Sequence, residues 1–141
     1  MGGVPVHYVD LRAFCYATED ESRVVRALRT YLPDDVDLDR VVTTGHHGDR
    51  IVVLSARVER ADGVRHVLDR VRELDDLDAV LDELDDRVDE DCSFHLSLDK
   101  QAALDGAVRR GDGIRLRAKV EAYPARRAAA IDAIRGVLTA S

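Results

Sequence analysis

The sequence predicts an α+β domain of two layers, with an antiparallel or mixed sheet of about five strands and helices packed on one face. Three observations carry this. Stretches of period-two alternation rich in β-formers recur along the chain. Three or four stretches of helical period lie between them. The connections are short or hairpin-like, which suits a sheet with one covered and one open face.

The elements follow in order. Val4–Tyr16 alternates and reads as a strand. Thr18-Glu19-Asp20-Glu21 spells a capping box with Thr18 as N-cap, and Val24, Val25, Leu28, Tyr31 and Leu32 give the helix its apolar stripe before Pro33 ends it. Arg40–Thr44 and Arg50–Glu59 are strands joined by Gly45-His46-His47-Gly48-Asp49, a hairpin loop with glycine near both ends. Asp62 is placed to cap a helix carrying Val64, Val67, Leu68, Val71 and Leu74. A second stripe, Leu77, Val80, Leu81, Leu84 and Val88, continues it or forms a helix of its own after a break near Asp75-Asp76. Ser93–Leu98 is a strand with Phe94, Leu96 and Leu98 on one side. Asp99 caps a short helix that Gly106 stops, and Ile114–Tyr123 is the last strand. Pro124 opens a final helix burying Ala128, Ile131, Ile134 and Leu138.

The 141 residues suit one domain, 1–141, large enough to bury a core without disulfides or metals. Cys15 and Cys92 fall in strand-like segments and read as small buried hydrophobes. The N-terminus has neither the charge nor the apolar run of a secretory signal, and nothing approaches a membrane span, so the expected compartment is the cytoplasm.

Charge is more informative. There are 21 Asp and 7 Glu against 19 Arg and 2 Lys, with no Asn and no Trp. Short carboxylates in excess and arginine in place of lysine fit a surface kept hydrated in a salty cytoplasm; a GC-rich genome gives the same bias. The net charge of −7 is unevenly distributed: −2 over residues 1–60, −9 over 61–91 and +4 over 92–141. A basic C-terminal third in so acidic a chain is the footprint expected of a phosphate-binding surface.

Strand 114–122 sharpens that expectation. Alternation puts Arg115, Arg117 and Lys119 on one face at ~7 Å intervals. Ser93, His95 and Ser97, then Ser55 and Arg57, then Arg12, are candidates for the same face. Tyr8, Phe14 and Tyr16 share the parity of Arg12, so aromatics interleave with cations if that parity is open. The competing reading is a solvated face of Arg–Asp pairs with the aromatics turned inward. Lys100, Arg126 and Arg127 stand at two helix starts that would extend the track if both lie at one sheet edge, and Arg109-Arg110 sits in a glycine turn. The pair His46-His47 lacks further ligands at metal-site spacing, and no nucleophile elbow, phosphate loop or dinucleotide fingerprint occurs. Neither enzyme nor cofactor is expected.

Thr18-Glu19-Asp20-Glu21, Gly45-His46-His47-Gly48-Asp49-Arg50-Ile51, Leu98-Asp99-Lys100-Gln101-Ala102-Ala103 and Lys119-Val120-Glu121-Ala122-Tyr123-Pro124, in that order, resemble the archaeal RNA-binding-protein family described as a predicted exosome subunit. The resemblance implies a fold similar to the ribosomal protein that docks the 5S RNA (an L-five-like fold). It also implies a non-catalytic RNA-binding role near RNA processing or degradation. Where the family tends to continue with Tyr-Leu-Gly, this chain reads Leu104-Asp105-Gly106, placing a carboxylate near Lys100. The alternative reading is a protein-interaction or homodimeric subunit of an RNA-processing assembly.

Overall fold

The computed structural model describes residues 4–140; Met1, Gly2, Gly3 and Ser141, including the start of the uncharged N-terminus, lie outside it. Five strands form one antiparallel sheet: β1 (Val6–Tyr16), β2 (Asp39–Thr44), β3 (Arg50–Val58), β4 (Ser93–Asp99) and β5 (Gly113–Val120). Their spatial order is β2-β3-β1-β5-β4, so β1 is the centre, hydrogen-bonded to β3 on one side and to β5 on the other. The helices are α1 (Glu21–Arg29), α2 (Ala61–Val71), α3 (Leu77–Asp82), α4 (Leu84–Arg87), α5 (Lys100–Leu104) and α6 (Arg127–Thr139). This is the expected two-layer α+β architecture.

Alternation decides the layers. Directly paired residues share a face in an antiparallel sheet. One row across it reads Ala56, Leu11, Leu116, Leu96, all buried. Against such rows pack the apolar stripes of the helices: Val24, Ala27 and Leu28 of α1, Val64, Val67, Leu68 and Val71 of α2, and Ala130, Ile131, Ile134 and Leu138 of α6. Full burial of each large aliphatic side chain contributes on the order of 2 kcal/mol, so the helix layer is held by the sum of these stripes. Among the described residues, the other face carries no helix.

Several local expectations are corrected. The N-cap of α1 is Asp20, whose carboxylate accepts from Ser22 N–H at 3.0 Å, not Thr18. Asp62 sits within the first turn of α2, and the N-cap is Arg60. The break after α2 comes where the Asp75-Asp76 pair predicted it, and a second interruption at Glu83 separates α3 from α4. Pro124 follows a cis peptide bond and α6 begins only at Arg127; Ala130, not Ala128, is its buried alanine. Cys15 and Cys92 are both buried free thiols, but Cys92 precedes β4 with φ 63° rather than lying in a strand.

Asp99 does cap α5, accepting from Ala102 N–H at 3.1 Å. Gly106, at φ +80°, closes that helix as predicted: it donates to Ala103 O while Ala107 donates to Ala102 O.

Candidate nucleic-acid interface

The open face is a grid whose rows follow from strand register. One row runs Asp39, Ser55, Arg12, Arg115, Ser97 from β2 to β4. The next runs Arg57, Asp10, Arg117, His95. A third runs Tyr8, Lys119, Ser93, and on the other side lie Val41, Val53, Phe14 and then Thr43, Ile51, Tyr16. The first two rows line a shallow concavity of about 710 Å³. The parity read from β1 and β5 is therefore the open one, and Tyr8, Phe14 and Tyr16 do share it with Arg12.

The cations on this face differ in their freedom. Arg57 is held by Asp10 through two parallel bonds, Nε to Oδ1 at 2.8 Å and Nη2 to Oδ2 at 3.0 Å. These bonds push the Arg57 guanidinium further into its charged form. Its Cζ also lies 3.9 Å from the centroid of the Tyr8 ring. Arg117 donates to the Tyr8 hydroxyl at 3.2 Å and has no ion-pair partner among the described residues. Arg12 sits 5.4 Å from the Phe14 ring centroid. Arg12 and Arg115 are directly opposite one another on neighbouring strands, and neither has a carboxylate partner among the described residues. Like charges in that position repel, so the pair favours an anion between or above them.

Of the remaining predicted cations, Lys100, Lys119, Arg110 and Arg127 are engaged elsewhere. Lys100 is only 12% exposed and bridges the Phe14 carbonyl at 2.9 Å and the Glu19 carboxylate at 2.8 Å. Gly113 makes room for it: at φ +115°, a Cβ there would stand 2.5 Å from the Lys100 Cβ. Desolvation raises the Glu19 pKa, but the Lys100 ammonium and the Tyr16 N–H outweigh it and hold the carboxyl below its ordinary value. Lys119 shares the open parity, but its ammonium donates to the Asp91 carbonyl. Arg127 donates to the carbonyls of Val88, at 2.8 Å, and Asp85. Arg110, from the glycine turn, is bonded to Asp76 at 2.8 Å and Glu83 at 3.1 Å. Lys100 and the Arg126-Arg127 pair do not meet. Antiparallel pairing of β4 with β5 puts Asp99 beside Gly113 and Ser93 beside Lys119, so Lys100 and α6 start from opposite ends of the sheet. Arg126 is exposed at the N-cap of α6.

Two polar residues also move from their expected role. Ser93 is fully buried under the turn that precedes β4, where its N–H donates to Asp89 at 3.0 Å. His95 is exposed but engaged with Asp89 at 2.8 Å. With Arg57 over Tyr8, the most open aromatic of β1 is Tyr16, at 50% exposure. His46 and His47 pack edge to face, 5.3 Å between centroids, at an exposed hairpin tip. Among the described residues, no three His, Cys, Asp or Glu side chains are arranged to hold a metal ion.

Comparison with known proteins fits this geometry. RNA-binding protein PAB1135 of Pyrococcus abyssi is 32% identical over 145 residues, spanning 95% of this chain and 94% of that one. An uncharacterised protein of Methanocaldococcus jannaschii, MJ0213, is 33% identical over 114 residues, covering 74% of this chain and 76% of its own length. The structure of Mth689, a DUF54 protein from Methanothermobacter thermautotrophicus, superposes with a TM-score of 0.82 at 40% identity, covering 94% of this chain and 98% of that one. A family model described as RNA binding matches residues 8–120, the span that builds all of the sheet but the first two residues of β1, and the chain belongs to this RNA-binding family.

Proposed function

We propose that this protein is a non-catalytic RNA-binding protein of a saline cytoplasm that takes RNA on the open face of its sheet. The observation that carries this reading is the opposed, unneutralised pair Arg12 and Arg115 in the concavity, flanked by Arg117 and Arg57. Guanidinium forks match phosphate oxygens bidentately, and their planes also stack on unpaired bases. Tyr16 offers a further stacking surface on the same face. Unpaired segments suit such a face better than duplex, because their bases can splay onto it. Lys119 adds to the track if RNA displaces its carbonyl contact. Arg126 and Arg127 extend it only around the end of β5, and Lys100 supports the face from below.

The test is RNA binding at native salinity by wild type and by an Arg12→Glu/Arg115→Glu double variant. Binding is expected to weaken by about a hundredfold or more, with unchanged circular dichroism. Equal binding by both proteins moves the site away from this face. Association with an RNA-degrading complex follows the family resemblance, and it is tested by whether the tagged protein co-purifies with exosome subunits after nuclease treatment.

A further inference from the structure

The sheet has two edges, and they are finished differently. The outer side of β4 is sealed by the chain itself. Val88 and Arg110 form bridges to Phe94 and Leu98. Asp89 N–H donates to Ser93 O at 3.0 Å, Gly111 N–H to Ser97 O at 3.3 Å, and Asp99 N–H to Arg109 O at 2.9 Å. The outer side of β2 has no such cover among the described residues. All six of its residues are exposed, and Val41 (59%) and Val42 (50%) are two of the four exposed large hydrophobics described. It holds no proline, lysine or bulge of the kind that blunts an edge.

The hairpin fixes which backbone groups of β2 face outward. Gly45 N–H donates to Asp49 O at 2.6 Å, and Gly45 and Asp49 continue the register in which Thr44 pairs with Arg50. Bonded and non-bonded pairs alternate in an antiparallel ladder. Residues 39, 41, 43 and 45 therefore direct their N–H and C=O groups to β3. Arg40, Val42 and Thr44 direct theirs away from the sheet.

We propose that β2 pairs with β2 of a second copy of this chain, antiparallel, about a two-fold axis at Val42 that is perpendicular to the sheet. In that register Val42 pairs with its symmetry mate and Arg40 with Thr44 of the partner subunit, all through outward-facing backbone groups. Val41 lies opposite Thr43 of the partner subunit, and Asp39 opposite Gly45 of the partner subunit. No like charges face one another, and the Arg40 guanidinium is already held by Glu21 at 2.8 Å. A second β2 is self-complementary to this alternating row of donors and acceptors. A nucleic-acid backbone, which presents mainly acceptors, is not.

The axis keeps both open faces on the same side of one ten-stranded sheet. The two copies of β1 then stand five inter-strand spacings apart, about 24 Å at ~4.8 Å each. Two Arg12–Arg115 sites become one bivalent surface.

Sedimentation equilibrium of RNA-free protein tests this, at salt high enough to screen the net charge of −7. Wild type is expected at twice its 15.6 kDa monomer mass. Val42→Pro removes only an outward-facing N–H, so it should leave the fold intact and give monomer throughout the concentration range. Val42→Glu puts two carboxylates together on the axis and should do the same, which guards against a folding failure of the proline variant. A monomeric wild type overturns the proposal, whatever else binds the edge. So does a dimer that survives Val42→Glu in a protein with wild-type circular dichroism. Loss of RNA binding by the Arg12→Glu/Arg115→Glu variant without loss of dimer separates this interface from the proposed function.

Discussion

The acidic middle of the chain and the central strand treat arginine in opposite ways. Between residues 76 and 91, carboxylates and carbonyls capture cations from distant parts of the sequence: Arg110 on Asp76 and Glu83, Lys119 on Asp91, Arg127 on Asp85 and Val88. On β1 and β5, Arg12 and Arg115 face each other with no carboxylate partner among the described residues. Much of the positive balance of the last third is therefore internal glue for the acidic segment. The net charge of a stretch is a poor guide to a phosphate site, and the proposed site rests instead on the cations left unneutralised in the fold.

The largest effect that tests this comparison is on an engaged cation. Lys100→Met leaves Glu19 without its cationic partner and removes the ammonium that donates to the Phe14 carbonyl. Stability to denaturant should fall by about 2 kcal/mol, while RNA affinity, corrected for the folded fraction, stays within about twofold of wild type. A large loss of affinity in the folded variant would place Lys100 in the interface. A smaller effect in the opposite direction comes from releasing an arginine. Asp10→Asn frees Arg57, so RNA affinity should rise several-fold and the slope of log affinity against log salt should steepen by about one ion. An unchanged slope would mean that the RNA does not reach Arg57.

The smallest effect is on pH dependence. The folded-state pKa of Glu19 lies below its ordinary value, so its contribution to stability is present above the unfolded value, about 4.3. It is lost as pH falls through the lower folded value. Wild type should thus lose stability on acidification below about pH 4 more steeply than Glu19→Gln, which starts lower and carries no such titration. Parallel curves for the two proteins, followed by thermal unfolding between pH 3 and 6, would deny Glu19 this role.

Much of the face was legible because strand alternation is local. Ile114 to Val120 specifies its own two sides, and Tyr8 to Tyr16 does likewise; register needed only agreement between them. The five-strand two-layer class followed from the same periodicity. The neutralisation of Arg110, Lys119 and Arg127 was not legible, since each partner lies 27 to 42 residues away and is brought near by packing. Arg57 and Asp10 are separated by 47 residues, so their pairing waited on the β1–β3 register. The sealing of β4 and the exposure of β2 depend on strand order, which alternation does not encode. The N-cap of α1 was misplaced because Thr18 and Asp20 are both good caps two residues apart, and only the Asp20–Ser22 bonds distinguish them.

The central position of β1 has a consequence for how such a surface meets a ligand. Arg12 is anchored to a strand laced to neighbours on both flanks, with Leu11 and Ala13 locked into the core beneath it. Its backbone is released only when the sheet itself parts, an event as rare as unfolding. The platform therefore arrives at the encounter already shaped, and only side-chain rotamers adjust. If RNA docks here as proposed, nearly all the ordering on association falls to the RNA. A segment whose bases are already splayed would gain most from such a rigid template, and a stiff duplex would gain least.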